Sequence, residues 1–522
     1  MRTQARSSVA PPAVLSAIAG VAAGVAAAGA GELTAALLVP TGSPFTVVGA
    51  AAIDLAPTWA KDAAIALFGT ADKIALLVGI GLVVAALAGL AGVIESRRPP
   101  LGRALFGVAA VLGVAAAVTR ADAGLLSPVP SAVAGVVGSI ALVMLLRKRP
   151  EQPGAPAASS AGSTAGLSRR GFLGWSAGTA AVGALATLGA NALQAATRTA
   201  TTVREAFTLP SAASTAAPVP TGAELGIDGL APVITPNELF YRIDTALRVP
   251  QIDTAEWSLR IHGLVDEPFE LTWDELVALP LEESFTTLMC VSNEVGGGLI
   301  GNAKWLGYPI RELLARAKPQ AGADMVLSKS IDGWTASSPL GVLQDAERNS
   351  VLAIGMNDEP LPTEHGYPAR LVVPGLYGYV SATKWVTELE VTRFADQTAY
   401  WTDRGWSAEG PVKLSSRIDV PSSGRTVEAG TVTIAGVAWD QHTGIAAVHV
   451  QIDGGDWQPA ELTTAISIDT WVQWRLEWQA TTGDHYIRVR ATSVDGEVQT
   501  EDIQGVIPDG ATGLHEIVVR VA

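Results

Sequence analysis

The sequence predicts three parts in series: an N-terminal multi-span α-helical membrane region, a mixed α+β domain and a C-terminal antiparallel β-sandwich. Three observations predict this. Residues 1–200 are dominated by Ala, Gly, Val and Leu, in runs long enough to cross a bilayer. Every His, and every Trp except Trp59 and Trp175, lies beyond them, in sequence of ordinary polarity. From about residue 411 the pattern changes again, to short strands divided by Gly/Asp turns. A length of 522 residues at about 150 per domain also points to three or so units.

Residues 1–149 form the membrane region. A span needs about 20 apolar residues, and four runs meet this, at 12–39, 73–94, 101–119 and 129–146. The stretch from Pro44 to Gly69, interrupted by Asp54, Pro57, Lys61 and Asp62, reads as interfacial or re-entrant. Positive charge sets orientation. Arg2 and Arg6, then Arg97, Arg98 and Arg103, then Arg147, Lys148 and Arg149 all fall on one side of a consistent zigzag, the cytoplasmic side. No span contains His, so a bis-histidine haem in the membrane is excluded.

A Pro/Ala/Ser/Gly cytoplasmic linker, 150–167, leads to residues 168–195, a fifth apolar segment opened by Ser168, Arg169, Arg170, Gly171, Phe172 and Leu173. This S-R-R-x-F-L start resembles a twin-arginine export signal placed inside the chain. It sends everything after about residue 195 outside the cytoplasmic membrane. A further linker, 196–224, precedes the exported part.

In 225–405, EWSLRIHGLV alternates like a strand, as do FTTLMCVS, MVLSKS and ARLVVPG. IRELLARA reads as a helix. LTWDELVALP reads as a short helix with Thr272 as N-cap and Glu275 completing a capping box. In 411–522, about seven strands, among them TVTIAGVAW, QWRLEWQA and HYIRVRATSVDG, predict the sandwich. Charge divides with the domains. Through Arg204 there are 15 Lys+Arg against 7 Asp+Glu; the rest holds 20 against 43. A domain that acidic is unsuited to nucleic acid. One cysteine excludes an intrachain disulfide. It stands in TTLMCVSNEVGG, where a thiolate could serve a soft metal.

Residues 225–522 resemble the sulfite oxidase family of molybdopterin enzymes, including its C-terminal immunoglobulin-like, dimerisation-type domain. Three motifs carry the resemblance: TLMCVSN leading to AKWLGYPIRELL, then LPTEHGYPARLVVPG, then SATKWVTELEV. The resemblance implies that Cys290 is the protein's sulfur ligand to molybdenum, joining two sulfurs from the pterin, and that it is the catalytic residue. It implies that His365 and Arg370 hold the pterin and its phosphate, that Ala382, Thr383 and Lys384 form a cofactor-binding triplet, and that Asn293 also contributes. Tyr241, Arg242, Asp244 and Thr245 fall on the family's aromatic-rich cofactor loop, in a register ambiguous by one residue.

The departures bear on substrate. Glu294 and Val295 stand where sulfite oxidases continue with two arginines; Ser381 replaces an arginine before the triplet; Asp403 stands where a catalytic tyrosine is expected, with Tyr377, Tyr379 and Tyr400 as other phenols of unknown placement. The implied activity is two-electron oxo transfer on a small molecule by a molybdenum–molybdopterin cofactor, with sulfoxide-like reduction slightly favoured over sulfite oxidation. No haem or flavin motif is evident, so a separate electron-transfer partner is expected, and a homodimer through the C-terminal domain is possible. The alternative is a non-catalytic membrane-anchored assembly or adhesion protein with a remnant cofactor site.

Overall fold

The computed structural model describes residues 13–57, 67, 72–120, 123–147, 169–196 and 199–522. Arg2, Arg6, Lys61, Asp62, Lys148, Arg149, the linker at 150–167 and Ser168 lie outside the described residues. The chain divides into two compact units, Met1–Arg198 with Ala246–Arg248, and Thr199–Thr245 with Val249–Ala522.

The first unit is helical: α1 (Ala13–Leu38), α2 (Pro44–Leu55), α3 (Asp72–Arg97), α4 (Leu101–Val118), α5 (Val129–Arg147) and α6 (Arg169–Ala196). All but α2 are long and apolar enough to cross a membrane. The α2 helix, 12 residues, is too short to span a bilayer by itself. Helix α1 is central and packs against α6, α5 and α3. Small residues make this possible: a Cβ added at Gly92 would lie 2.0 Å from the Ser16 carbonyl oxygen. Between apolar helices in lipid, such close backbone approach supplies the van der Waals contact that a hydrophobic driving force cannot. At the α3–α4 turn, buried Glu95 accepts hydrogen bonds from Arg103 N and Nε, each 3.0 Å.

The second unit begins with α7 (Thr199–Ala206). Residues 196–224 were expected to be a linker. Instead, from Thr199 they are tied down. Arg204 donates to the carbonyls of Leu361 (Nε, 2.8 Å) and Pro360 (Nη2, 2.8 Å) and pairs with Glu359. Phe207 packs edge-on against Trp273 at 5.1 Å. Ala213 N donates to Leu281 O, and Glu224 accepts from Val233 N and Gln473 Nε2. Pro and Ala content resembled a linker because the ties are made by single side chains and main-chain amides.

Two sheets follow, the first mixed and the second antiparallel. The first joins β1 (Ser258–Gly263), β2 (Phe269–Thr272), β5 (Met325–Ser330), β6 (Thr335–Pro339) and β10 (Val386–Thr392) in the order β2-β1-β10-β5-β6, with β1 and β10 parallel. The second joins β3 (Glu282–Met289), β4 (Ile300–Pro309), β7 (Val351–Met356) and β8 (Glu359–Pro360), with β9 (Arg370–Val372) added to β7. Helices α8 (Trp273–Val277) and α9 (Ile310–Ala317) stand where expected, and Thr272 and Glu275 form both halves of the capping box. Phe240, Leu288, Trp305, Met356, Tyr367 and Val372 share one core.

The sandwich has nine strands rather than about seven: β11 (Ser415–Val420), β12 (Thr426–Val427), β13 (Gly430–Trp439), β14 (Ile445–Ile452), β15 (Gln458–Pro459), β16 (Glu461–Leu462), β17 (Val472–Ala480), β18 (Gly483–Ser493) and β19 (His515–Val521). Three of these have two residues, too short to show an alternating pattern, and β12 pairs with β19 in parallel. The two sheets, β11-β13-β17-β16 and β12-β19-β18-β14-β15, enclose Ile434, Trp474, Val489 and Val519. The sandwich is bonded to the second of these sheets through Thr287 on β3, which donates from N to Asp469 O and whose side-chain oxygen accepts from Trp471 N at 2.9 Å.

Candidate functional site

Cys290 is the first residue beyond β3. Its amide donates to Leu299 O at 2.9 Å, which carries the ladder one step past the strand and fixes the thiol at the turn. Asn293 closes that turn: its N donates to Cys290 O and its Oδ1 accepts from Leu299 N at 2.7 Å. The Cys290 side chain is buried, at 8% exposure, and its Sγ lies 2.9 Å from Ser292 Oγ. Burial pushes the thiol pKa up; the hydroxyl and amide of Ser292 act the other way.

The other two motifs converge from β9 and β10. Arg370 opens β9, and Lys384 lies two residues before β10. Leu371 N donates to Thr383 O, and Trp385 Nε1 donates to Thr363 O, so the motifs are cross-linked. Gly366, at φ 117°, lets the turn pass close: a Cβ there would lie 3.0 Å from Arg370 Cβ and 3.2 Å from Lys384 Cβ.

Arg370 is 5% exposed. Its guanidinium donates to the carbonyls of His365 (3.1 Å) and Ala382 (3.4 Å) and sits 5.2 Å from the Trp305 ring centre. Among the described residues no carboxylate pairs with it. Burial lowers its pKa to about 10. Lys384 donates to Asp244 Oδ2 at 2.7 Å and to Glu364 O at 3.0 Å. Burial pulls its pKa down to about 8 against the opposing pull of Asp244. His365 is pushed down to about 4 by burial and by the cations of Arg370 and Lys384, so it is neutral at pH 7. Its Nε2 lies 3.2 Å from the Asn237 carbonyl oxygen and must carry the proton to bond it.

Tyr241 completes the cluster. Its phenol pKa is raised far above the ordinary value, first by burial and then by the charge of Cys290, with Arg370 opposing. The sequence offered Tyr241 only as a cofactor-loop residue; the structure makes it a phenol electrostatically coupled to the cysteine. Tyr377 is a second, pushed up to about 12 by burial, Asp509 and Cys290. Tyr379 instead donates to Ser407 O at 2.9 Å.

Some expected residues face elsewhere. The Thr383 hydroxyl is fully buried against Ser328 Oγ at 2.7 Å, so only its main chain faces the motifs. Arg242 is 39% exposed and pairs with Asp244 at 2.9 Å. Thr245 is half-buried on the same loop. The Ser381 side chain turns back onto the carbonyls of Tyr377 and Leu376. Asp403 is exposed and hydrogen-bonded by Thr398. Its expected role as an acid inside the pocket is therefore corrected: its charge is solvated.

The arrangement fits a large anionic group rich in acceptors. A buried guanidinium with only carbonyl partners and the Asn293 Nδ2, buried without a partner, both offer donors, and a thiol stands at their edge. Comparisons with known proteins agree. The model for the oxidoreductase molybdopterin binding domain matches residues 246–401, and that for a bacterial Ig domain matches 415–489. Mouse mitochondrial sulfite oxidase is 28% identical over 340 residues, covering 55% of this chain and 62% of that protein. Human mitochondrial sulfite oxidase is 30% identical over 308 residues, covering 50% and 56%. The chain thus spans about three-fifths of the length of these relatives. The uncharacterized oxidoreductase YuiH of Bacillus subtilis is 32% identical over 158 residues, covering 30% of this chain and 76% of that protein. Among solved structures, the sulfane dehydrogenase SoxCD from Paracoccus pantotrophus aligns at 24% identity and TM-score 0.49, covering 56% of this chain and 82% of that one.

The family models and the curated relatives define the class, a molybdopterin-dependent oxidoreductase carrying an Ig-like domain; five apolar helices of membrane-spanning length precede it. The chain belongs to the sulfite oxidase family.

Proposed function

We propose that the chain is a membrane-anchored oxidoreductase that moves an oxygen atom to or from a small neutral substrate, a sulfoxide in preference to sulfite, outside the cytoplasmic membrane. The observation that carries the cofactor part is Arg370, a buried cation held only by carbonyls. Burying an unpaired charge is costly, and a phosphate-bearing pterin would neutralise it. The cofactor, when bound, supplies two-electron oxo transfer. Cys290 would ligate the metal. Arg370, Lys384, neutral His365 and the Asn293 amide would hold the pterin, with Asp244 aiming Lys384. Tyr241, kept protonated, would donate a hydrogen bond to a substrate oxygen. The expected non-catalytic alternative finds no support in this cluster of buried, mutually oriented groups.

The substrate preference rests on where the cations are. Arg370 and Lys384 are engaged with carbonyls and Asp244, and Arg242 with Asp244. A dianion such as sulfite would meet two neutral phenols near Cys290; a neutral sulfoxide needs only a donor. Export is supported by the Arg169–Arg170 start of α6, and orientation by Arg97, Arg98, Arg103 and Arg147. A separate electron carrier and a homodimer through the sandwich complete the proposal.

Steady-state kinetics on the molybdenum-loaded protein, with sulfite and a panel of neutral sulfoxides, test it alongside Cys290→Ser. The serine variant should keep its fold and lose turnover by on the order of 100-fold or more, since a hydroxyl is a poorer ligand for this metal. Wild-type turnover in a loaded serine variant would sink the ligand assignment. A sulfite kcat/KM near about 10⁶ M⁻¹s⁻¹, well inside the efficient range, would sink the preference.

A further inference from the structure

A side chain inside the TLMCVSN motif, to which the motif assigns no role, is hydrogen-bonded to the candidate metal ligand. Ser292 Oγ lies 2.9 Å from Cys290 Sγ. Among the described residues this is the only hydrogen bond its hydroxyl makes. The placement is not a loose rotamer on a free loop. Cys290 N is bonded to Leu299 O, Asn293 N to Cys290 O, and Leu299 N to Asn293 Oδ1, so both ends of the Cys-Val-Ser-Asn turn are fixed. Val291 and Asn293, on either side of Ser292, are buried at 4% and 2% exposure, which leaves the turn little freedom to swing the hydroxyl away.

We propose that the Ser292 hydroxyl donates a hydrogen bond to the Cys290 sulfur and so sets how strongly that sulfur donates to the metal, making Ser292 a positioning residue that tunes the site's redox poise. This rests on the reading of Cys290 as ligand. A metal-bound thiolate has no proton of its own, so in the bonded pair the hydroxyl must be the donor. A donor on the sulfur withdraws electron density from the metal–sulfur bond. Hydrogen bonding around a ligating sulfur is an established lever on reduction potential, and partners of a ligand tune the metal as the ligand itself does. Less donation favours the reduced metal, so removing the bond should favour the oxidised one.

The test uses the full-length, molybdenum-loaded protein and the variants Ser292→Ala and Ser292→Thr. Three quantities are read: molybdenum content, sulfur coordination by X-ray absorption, and the midpoint potential of the one-electron couple by EPR-monitored titration. Ser292→Ala should bind molybdenum normally and retain the protein sulfur. Its equilibrium should shift toward the oxidised metal by about threefold or more, ~30 mV at 59 mV per tenfold. Ser292→Thr, which keeps a hydroxyl, should return most of the shift. A purely structural role would lower metal content or thermal stability and leave the potential of the loaded fraction unchanged. An unshifted potential in Ser292→Ala, with sulfur coordination intact, overturns the proposal. Absence of a protein sulfur on the metal in the wild type overturns the ligand reading itself, and the two failures are told apart by the absorption data.

Discussion

Replacing Arg370 with Met separates a cofactor clamp from a structural arginine. Three carbonyl bonds, to Leu371, His365 and Ala382, and the Trp305 contact make Arg370 look like part of the fold, and truncating such a residue usually destabilises. The electrostatics point the other way. Burial lowers its pKa to about 10, well below the ordinary guanidinium value, and at 1.36 kcal/mol per pH unit this costs about 3 kcal/mol for keeping it charged at neutral pH. Above about pH 10 the unfolded chain binds more protons than the folded one, so stability rises with pH there, and the whole cost is present below about 10. Methionine removes that cost and gives up three hydrogen bonds of about 1 kcal/mol each. The two sides nearly cancel. In a cofactor-free preparation, from a host unable to make molybdopterin, the variant should therefore melt within a few degrees of wild type. In a competent host it should retain little molybdenum. Calorimetry and metal analysis on paired preparations provide the check. A cofactor-free variant melting ten or more degrees low, with normal metal retention from the competent host, would refute the reasoning.

Three further outcomes are expected. His365, with its pKa pushed to about 4, binds its proton later than the unfolded histidine, so charging it costs stability as pH falls from 6.5 toward 4, by about 3 kcal/mol in full; wild type should lose that much more than His365→Gln between pH 7 and 4 in denaturant melts, and parallel profiles would contradict it. Asp244→Asn leaves Lys384 buried without its carboxylate and should cost ~3 kcal/mol at pH 7; because Lys384 titrates near 8 or below, the gap to wild type should narrow by pH 9, and a constant gap would point to lost packing instead. Replacing Arg169 and Arg170 by Lys should leave the C-terminal part unexported and protease-inaccessible in intact spheroplasts; unchanged accessibility and cofactor loading would remove the twin-arginine proposal.

What the sequence made legible was local. Span-length apolar runs, the Thr272–Glu275 capping box and the three family motifs each declare themselves within one continuous stretch of sequence. What it concealed was direction and adjacency. The A-T-K triplet reads as three equivalent positions, yet the chain turns through a positive φ of 53° at Trp385, and the Thr383 hydroxyl faces Ser328 while Lys384 faces Asp244. The phenol coupled to Cys290 could not be chosen from tyrosines scattered over 160 residues. That choice is made by the tertiary packing of the Tyr241 loop and the short helix Gly378–Ser381 against the end of β3: a Cβ at Gly378 would lie 3.7 Å from Met289 O and 4.0 Å from the Tyr241 hydroxyl. Asp403 aligned by position with a catalytic group but sits in a solvated turn, because alignment conveys order along the chain and not exposure.

The tie between Arg204 and the carbonyls of Pro360 and Leu361 decides where the chain can be cut. Those carbonyls lie immediately ahead of the turn that presents His365, so the guanidinium acts as a splint on the approach to the cofactor motif. A water-soluble fragment begun at residue 225, where a composition-based boundary falls, would discard the splint along with Phe207 and the Ser214–Glu282 bridge. It would also expose Trp273 and the edge of β3. Begun at Thr199 it keeps all of them. The same reasoning applies to shedding: a protease that severs the anchor just before Thr199 releases a catalytic unit with its supports in place, whereas one that cuts near residue 220 releases a shorter chain missing the brace on its own cofactor turn.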